Sequence, residues 1–121
     1  MKTILLAIVV TVVTSACVTS NVNSPSTDAG GAGGAPPELW SDHQALPIPV
    51  GACGDRAFKV LTTLGYSAVV RNGNYSYGNL NGNRAAVKCA ENGGNSFVYF
   101  AVAGARKEKV EELRNAIART F

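Results

Sequence analysis

The sequence predicts an α+β fold, an antiparallel sheet of three or four strands with two helices packed on one face. Apolar residues at helical spacing open and close the region that begins near Cys53 and runs to Phe121. Between them lie short β-prone runs of alternating polarity, punctuated by Asn and Gly. The expected element order is extended lead-in, helix, strands, helix.

Leu46-Pro47-Ile48-Pro49-Val50 reads as the extended lead-in, because each Pro disfavours helix in the residue before it. In the first helix Ala57, Val60, Leu61 and Leu64 share one stripe, which Cys53 extends one turn upstream. Asp55 suits a helix start and Gly65 a helix end. Residues 66–71, 84–90 and 96–103 carry strand composition, and Asn92-Gly93-Gly94-Asn95 makes the last two a hairpin. Residues 72–83, dense in Asn and Gly, read as turn chemistry. Alternation puts Ala85, Val87 and Cys89 on one face of their strand and Val98, Phe100 and Val102 on one face of the next, both turned toward the helices. The second helix carries Val110, Leu113, Ala116, Ile117 and Phe121 on its apolar side. Lys107, Glu108, Glu111, Glu112 and Arg114 lie on its wet side, as a solvated face with weak pairings.

The N-terminus has a different character. Lys2 supplies a basic start, residues 4–13 are dominated by apolar side chains, and Thr14-Ser15-Ala16 supply small residues, so residues 1–16 read as an export signal. A bilayer span needs about twenty apolar residues, more than this run holds. Ser15, Ala16 and Cys17 together resemble the lipobox of bacterial lipoproteins, with Thr14 standing where that family prefers Leu or another aliphatic residue. The resemblance covers the first seventeen residues. It implies cleavage before Cys17, a diacylglyceride on its sulfur, an acyl chain such as palmitate on the new amino end, and anchoring that one chain alone does not give. Val18 in place of Asp after the cysteine implies an outer-membrane destination, facing either periplasm or exterior. The alternative is ordinary cleavage after Ala16, which leaves Cys17 as a free thiol.

Residues 17–39 hold Ser, Thr, Asn, Gly and Ala with Pro36-Pro37, a composition that cannot bury enough apolar surface to fold. As a flexible linker of this length it spans roughly 25 Å, enough to hold a single small domain, residues 40–121, away from a membrane surface.

Three cysteines in an exported chain leave one over. Assigning Cys17 to lipid leaves Cys53 and Cys89 as an even pair, each on a helix-facing stripe, and an oxidising compartment favours a disulfide between them. Two buried, reduced thiols are the alternative. With His43 folded back, those thiols would make a soft three-ligand site for copper or zinc, a reading that the disulfide excludes.

Removing Lys2 from the eleven Lys and Arg leaves ten against eight Asp and Glu, an excess too small to imply nucleic acid. No phosphate-cradling Gly loop and no paired metal-ligand spacing occurs. Asp42, His43 and Ser67 compose a nucleophilic triad on paper only, since no nucleophile-elbow motif supports it. No catalytic residue, metal ligand or resident cofactor is assigned.

The outward side of the strands is richer. Arg84 and Lys88 alternate with inward residues, as do Phe97 and Tyr99, while Tyr75 and Tyr77 share a side of their own segment. An aromatic and basic sheet face could stack on sugars and favour anionic ligands, with Asn72, Asn74, Asn79, Asn81 and Asn83 offering amides. The same composition also suits cross-strand packing alone. Trp40, exposed by its polar neighbourhood, is a candidate partner anchor or a cap on the domain. The sequence therefore predicts a non-enzymatic, lipid-anchored interaction or structural module of a bacterial envelope, partnered by membrane, by envelope protein or by cell-wall glycan. A tethered glycan-binding module is the alternative, and a soft-metal carrier the third.

Overall fold

The computed structural model describes residues 35–121. The expected export signal, Cys17 and most of the expected linker lie outside the described residues. Seven elements follow one another: β1 (Glu38–Leu46), α1 (Val50–Thr63), β2 (Ser67–Asn72), β3 (Tyr75–Leu80), β4 (Asn83–Asn92), β5 (Asn95–Gly104) and α2 (Lys107–Thr120). The sheet has five strands, not three or four, in the order β1-β5-β4-β3-β2, every neighbouring pair antiparallel. Both helices pack on one face, α1 beneath β3 and β4 and α2 beneath β1 and β5.

The two strands beyond expectation have identifiable reasons. β1 turns Trp40, Asp42, Gln44 and Leu46 toward the helices, and Asp42 and Gln44 among them are polar. Each meets a partner on α2: Arg114 Nη1 donates to Asp42 Oδ2 at 3.0 Å, and Gln44 Nε2 donates to the Ala118 carbonyl at 2.8 Å. The second bond satisfies one of the last carbonyls of α2, which have no partner within the helix. Tertiary pairing thus overrides a strand pattern that reads as polar. Glu38 and Leu39, placed in the linker by composition, belong to this strand. β3 is YSYGNL, and its inward Ser76 and Gly78 are too small to register as an apolar stripe. At Gly78, Tyr66 and Val69 press close: a Cβ there would lie 3.1 Å from both the Tyr66 Cβ and Val69 Cγ2.

α1 begins one turn earlier than its stripe suggests, after an extended Pro49, whose carbonyl accepts from the Cys53 N–H at 3.0 Å. It stops at Gly65, where Gly65 N–H reaches the Thr62 carbonyl and Tyr66 N–H the Leu61 carbonyl, a Schellman arrangement that needs the positive φ of Gly65. The expected β4–β5 hairpin is present, with Asn92 paired to Asn95 around Gly93-Gly94. Asn81-Gly82 turns β3 into β4 by the same device, both residues at positive φ.

The core lies between sheet and helices, with Leu61, Val87, Val98, Phe100, Val102, Val110 and Ile117 fully buried. Cys53 on α1 and Cys89 on β4 form a disulfide across the layers, with Cα atoms 6.0 Å apart and both residues buried. The soft-metal site is therefore not assembled. Both sulfurs are consumed, and His43 stands on the opposite side of the sheet, where its ring stacks on Phe97 at 5.2 Å.

Candidate functional site

Both helices sit on one face, and among the described residues no element covers the other face of the sheet. Alternation fixes what it shows. Ala85, Val87 and Cys89 point inward from β4, so Arg84, Ala86, Lys88 and Ala90 point outward. Val98, Phe100 and Val102 point inward from β5, so Phe97, Tyr99, Ala101 and Ala103 point outward. All six residues predicted for a ligand face, Tyr75, Tyr77, Arg84, Lys88, Phe97 and Tyr99, come together on this one surface.

Register sets their neighbourhood. One row across the sheet reads His43, Tyr99, Lys88, Tyr75, Asn72, and the next reads Ser41, Ala101, Ala86, Tyr77, Val70. Tyr75 and Tyr77 tilt against each other at 5.5 Å, and the Arg84 guanidinium lies over the Tyr77 ring at 4.9 Å. The aromatic groups form two banks, Tyr75 and Tyr77 on β3, His43, Phe97 and Tyr99 on β1 and β5. Between them is a floor of Ala86, Ala90, Ala101 and Ala103. With strands about 4.8 Å apart, the Tyr99 and Tyr75 backbones stand roughly 10 Å from each other across β4. Tyr99 keeps 47% and Tyr75 38% of its surface in contact with solvent.

Electrostatically the face is one-sided. Among the described residues no carboxylate is registered on it. Asp42 turns to the helix side, where the His43 N–H and the Arg114 guanidinium hold its carboxyl below the usual carboxylate range. Glu38 shares the inward parity of Trp40, exposed Glu91 near the end of β4 shares that of Cys89, Asp55 pairs with Arg71, and the remaining helical acids are on α2.

Not every candidate lands here. Trp40 is half-buried rather than exposed. It faces α2, with Lys107 Nζ 5.5 Å and Arg114 Cζ 5.8 Å from its ring centre. Of the Asn series only Asn72 and Asn79 have the outward parity. Asn83 is buried and ties the β3–β4 turn to the Leu80 and Asn81 carbonyls, and the Asn74 carbonyl accepts from the Cys89 N–H. Asp42 and His43 point to opposite faces, and Ser67 lies on the far edge strand, four strand spacings or roughly 19 Å away, so no triad forms. Sequence reasoning missed His43 because β1 was not recognised as a strand. It also passed over the alanine floor, although Ala86, Ala90, Ala101 and Ala103 share the outward parity of Arg84, Lys88, Phe97 and Tyr99.

Among the described residues no helix is long and apolar enough to cross a membrane, and no cluster of three His, Cys, Asp or Glu could hold a metal ion. A surface cleft of about 420 Å³ between the helix ends, lined by Arg56, Lys59, Val60, Thr63, Thr120 and Phe121, lies on the other side of the sheet from the aromatic face. No protein-family model matches the chain, and no curated protein or solved structure shows significant similarity to it.

Proposed function

We propose that this chain is a non-enzymatic binding module of a bacterial envelope, anchored by lipid at Cys17 and acting through its helix-free sheet face. One observation carries the binding role. Four outward positions of the central strand β4 and its neighbour β5 hold Ala86, Ala90, Ala101 and Ala103, where β-branched or aromatic residues would stabilise a sheet better. Local choices that work against the fold concentrate where something else is being served. A floor of methyl groups lets a flat ligand approach the sheet, the tyrosines on either side supply stacking surfaces, and Arg84 and Lys88 supply charge. Every backbone group beneath that floor is committed to the strand ladder, so recognition falls to side chains alone.

Anchoring rests on the lipobox resemblance and predicts an outer-membrane location with the domain held out on its linker. Intact mass of membrane-extracted protein tests it. The wild type should exceed the chain cut after Ala16 by the mass of its lipids, and Cys17→Ser should lose that excess. A wild-type mass equal to the unmodified chain would overturn the anchor. Binding through the face is tested by retention of the full chain on immobilised envelope material. Tyr77→Ala/Tyr99→Ala should fall to background while wild type is retained, and equal retention of the two would overturn it.

A further inference from the structure

We infer that the ligand of this face is a linear glycan carrying carboxylates, laid along β4. This rests on the face being a binding site and names what it binds. Arg84 and Lys88 are four residues apart on one strand, so their Cα atoms share a face about 13 Å apart. Each cation stands beside tyrosine. Arg84 lies over Tyr77, and Lys88 stands in register between Tyr99 and Tyr75. Ala86 lies between the two cations and leaves the path from one to the other unobstructed.

Two cations on one strand beside a touching pair of tyrosines match a polymer whose sugars present carboxylates at intervals. A carboxylate can take a bidentate bond from Arg84 and a charge-assisted bond from Lys88, while the sugar faces stack on tyrosine. The lack of a registered carboxylate on this surface supplies the complementary charge. An acidic peptide is disfavoured, because extended peptides gain most of their affinity by pairing with a sheet edge, and this surface has no free backbone. A nucleic acid strand is disfavoured, because two cations neutralise few phosphates.

The test is calorimetric titration of the full, detergent-solubilised chain with tetragalacturonate and with its methyl ester, which keeps the sugar backbone and removes the charge. Tetragalacturonate should bind, and the ester should bind more weakly by about tenfold or more. Arg84→Gln/Lys88→Gln should erase that preference, whereas Tyr77→Ala/Tyr99→Ala should weaken both ligands. These side chains are outside the core, and an unchanged melting temperature confirms that the variants fold. Equal binding of acid and ester, no binding of either, or stronger displacement by polyglutamate or by phosphatidylglycerol vesicles would overturn the glycan assignment. Retention on envelope material separates the two levels. If retention depends on Tyr77 and Tyr99 while tetragalacturonate does not bind, the ligand class is wrong and the face still binds. If retention ignores both tyrosines, the binding face itself is wrong.

Discussion

Reducing the Cys53–Cys89 bridge should cost the domain a large share of its stability. The bridge closes a ring of 36 residues, which in the chain-entropy treatment corresponds to about 4 kcal/mol. For a domain of this size that amounts to a fall of roughly 15–30 °C in melting temperature. Because both cysteines are buried, native protein should resist reductant until it opens globally, so the comparison requires reduction in denaturant followed by refolding. Urea titration followed by circular dichroism then reads two quantities. The midpoint should drop, and the slope should rise, because an unbridged denatured chain exposes more surface. Cys53→Ala/Cys89→Ala should lie about 1–2 kcal/mol lower still, since it also empties the space of two buried sulfur atoms. An unchanged midpoint and slope after complete reduction, or two reactive thiols in unreduced, denatured protein beyond any at Cys17, would refute the bridge and the layer packing built around it.

Burial pushes the Tyr66 hydroxyl up to about 12. Its folded-state value is raised, so its contribution is fully present below the unfolded value near 10 and is lost as pH rises toward 12, by about 2–3 kcal/mol. Alkaline denaturation should show that loss in wild type and not in Tyr66→Phe. The variant should match or exceed wild type at neutral pH, because the buried hydroxyl has no hydrogen-bond partner. The Asp42 carboxyl is held low, so its stabilisation is present above its unfolded value of 3.8 and fades as pH falls below it. Acid unfolding of Asp42→Asn should therefore be shallower than that of wild type over the same range. Gly104→Ala should destabilise by about 1–3 kcal/mol in chemical denaturation, because the new methyl group would collide with the buried Asn83 side chain and sit 3.0 Å from Val110 Cγ2.

The helices and the β4–β5 hairpin were legible because their signals are local: a stripe at helical spacing, an alternation, an Asn-Gly-Gly-Asn turn. The bridge was legible because Cys53 and Cys89 fall on stripes that the same patterns turn toward each other. β1 was not legible, since Asp42 and Gln44 look like surface residues until Arg114 and the Ala118 carbonyl, over seventy residues away, are brought against them. β3 was hidden by its own packing, because the close approach of Tyr66 and Val69 demands Gly78, and buried Ser76 is small and polar, where an apolar stripe would have announced a strand. For the site, parity was enough to gather the six outward residues, but their arrangement into two banks around an alanine floor is a matter of register, which no single strand encodes.

The position of β1 governs how the molecule carries load. It is an edge strand, it is the element next to the linker, and the whole of it precedes Cys53, so it lies outside the ring that the bridge closes. Tension between an anchored N-terminus and a ligand held on β4 would enter at Glu38 and act first on the pairing of β1 with β5. Stripping that strand and unwinding the first turn of α1 frees up to about 50 Å of chain before the pull reaches Cys53. From there the covalent link passes force directly to β4, the strand that carries Arg84 and Lys88.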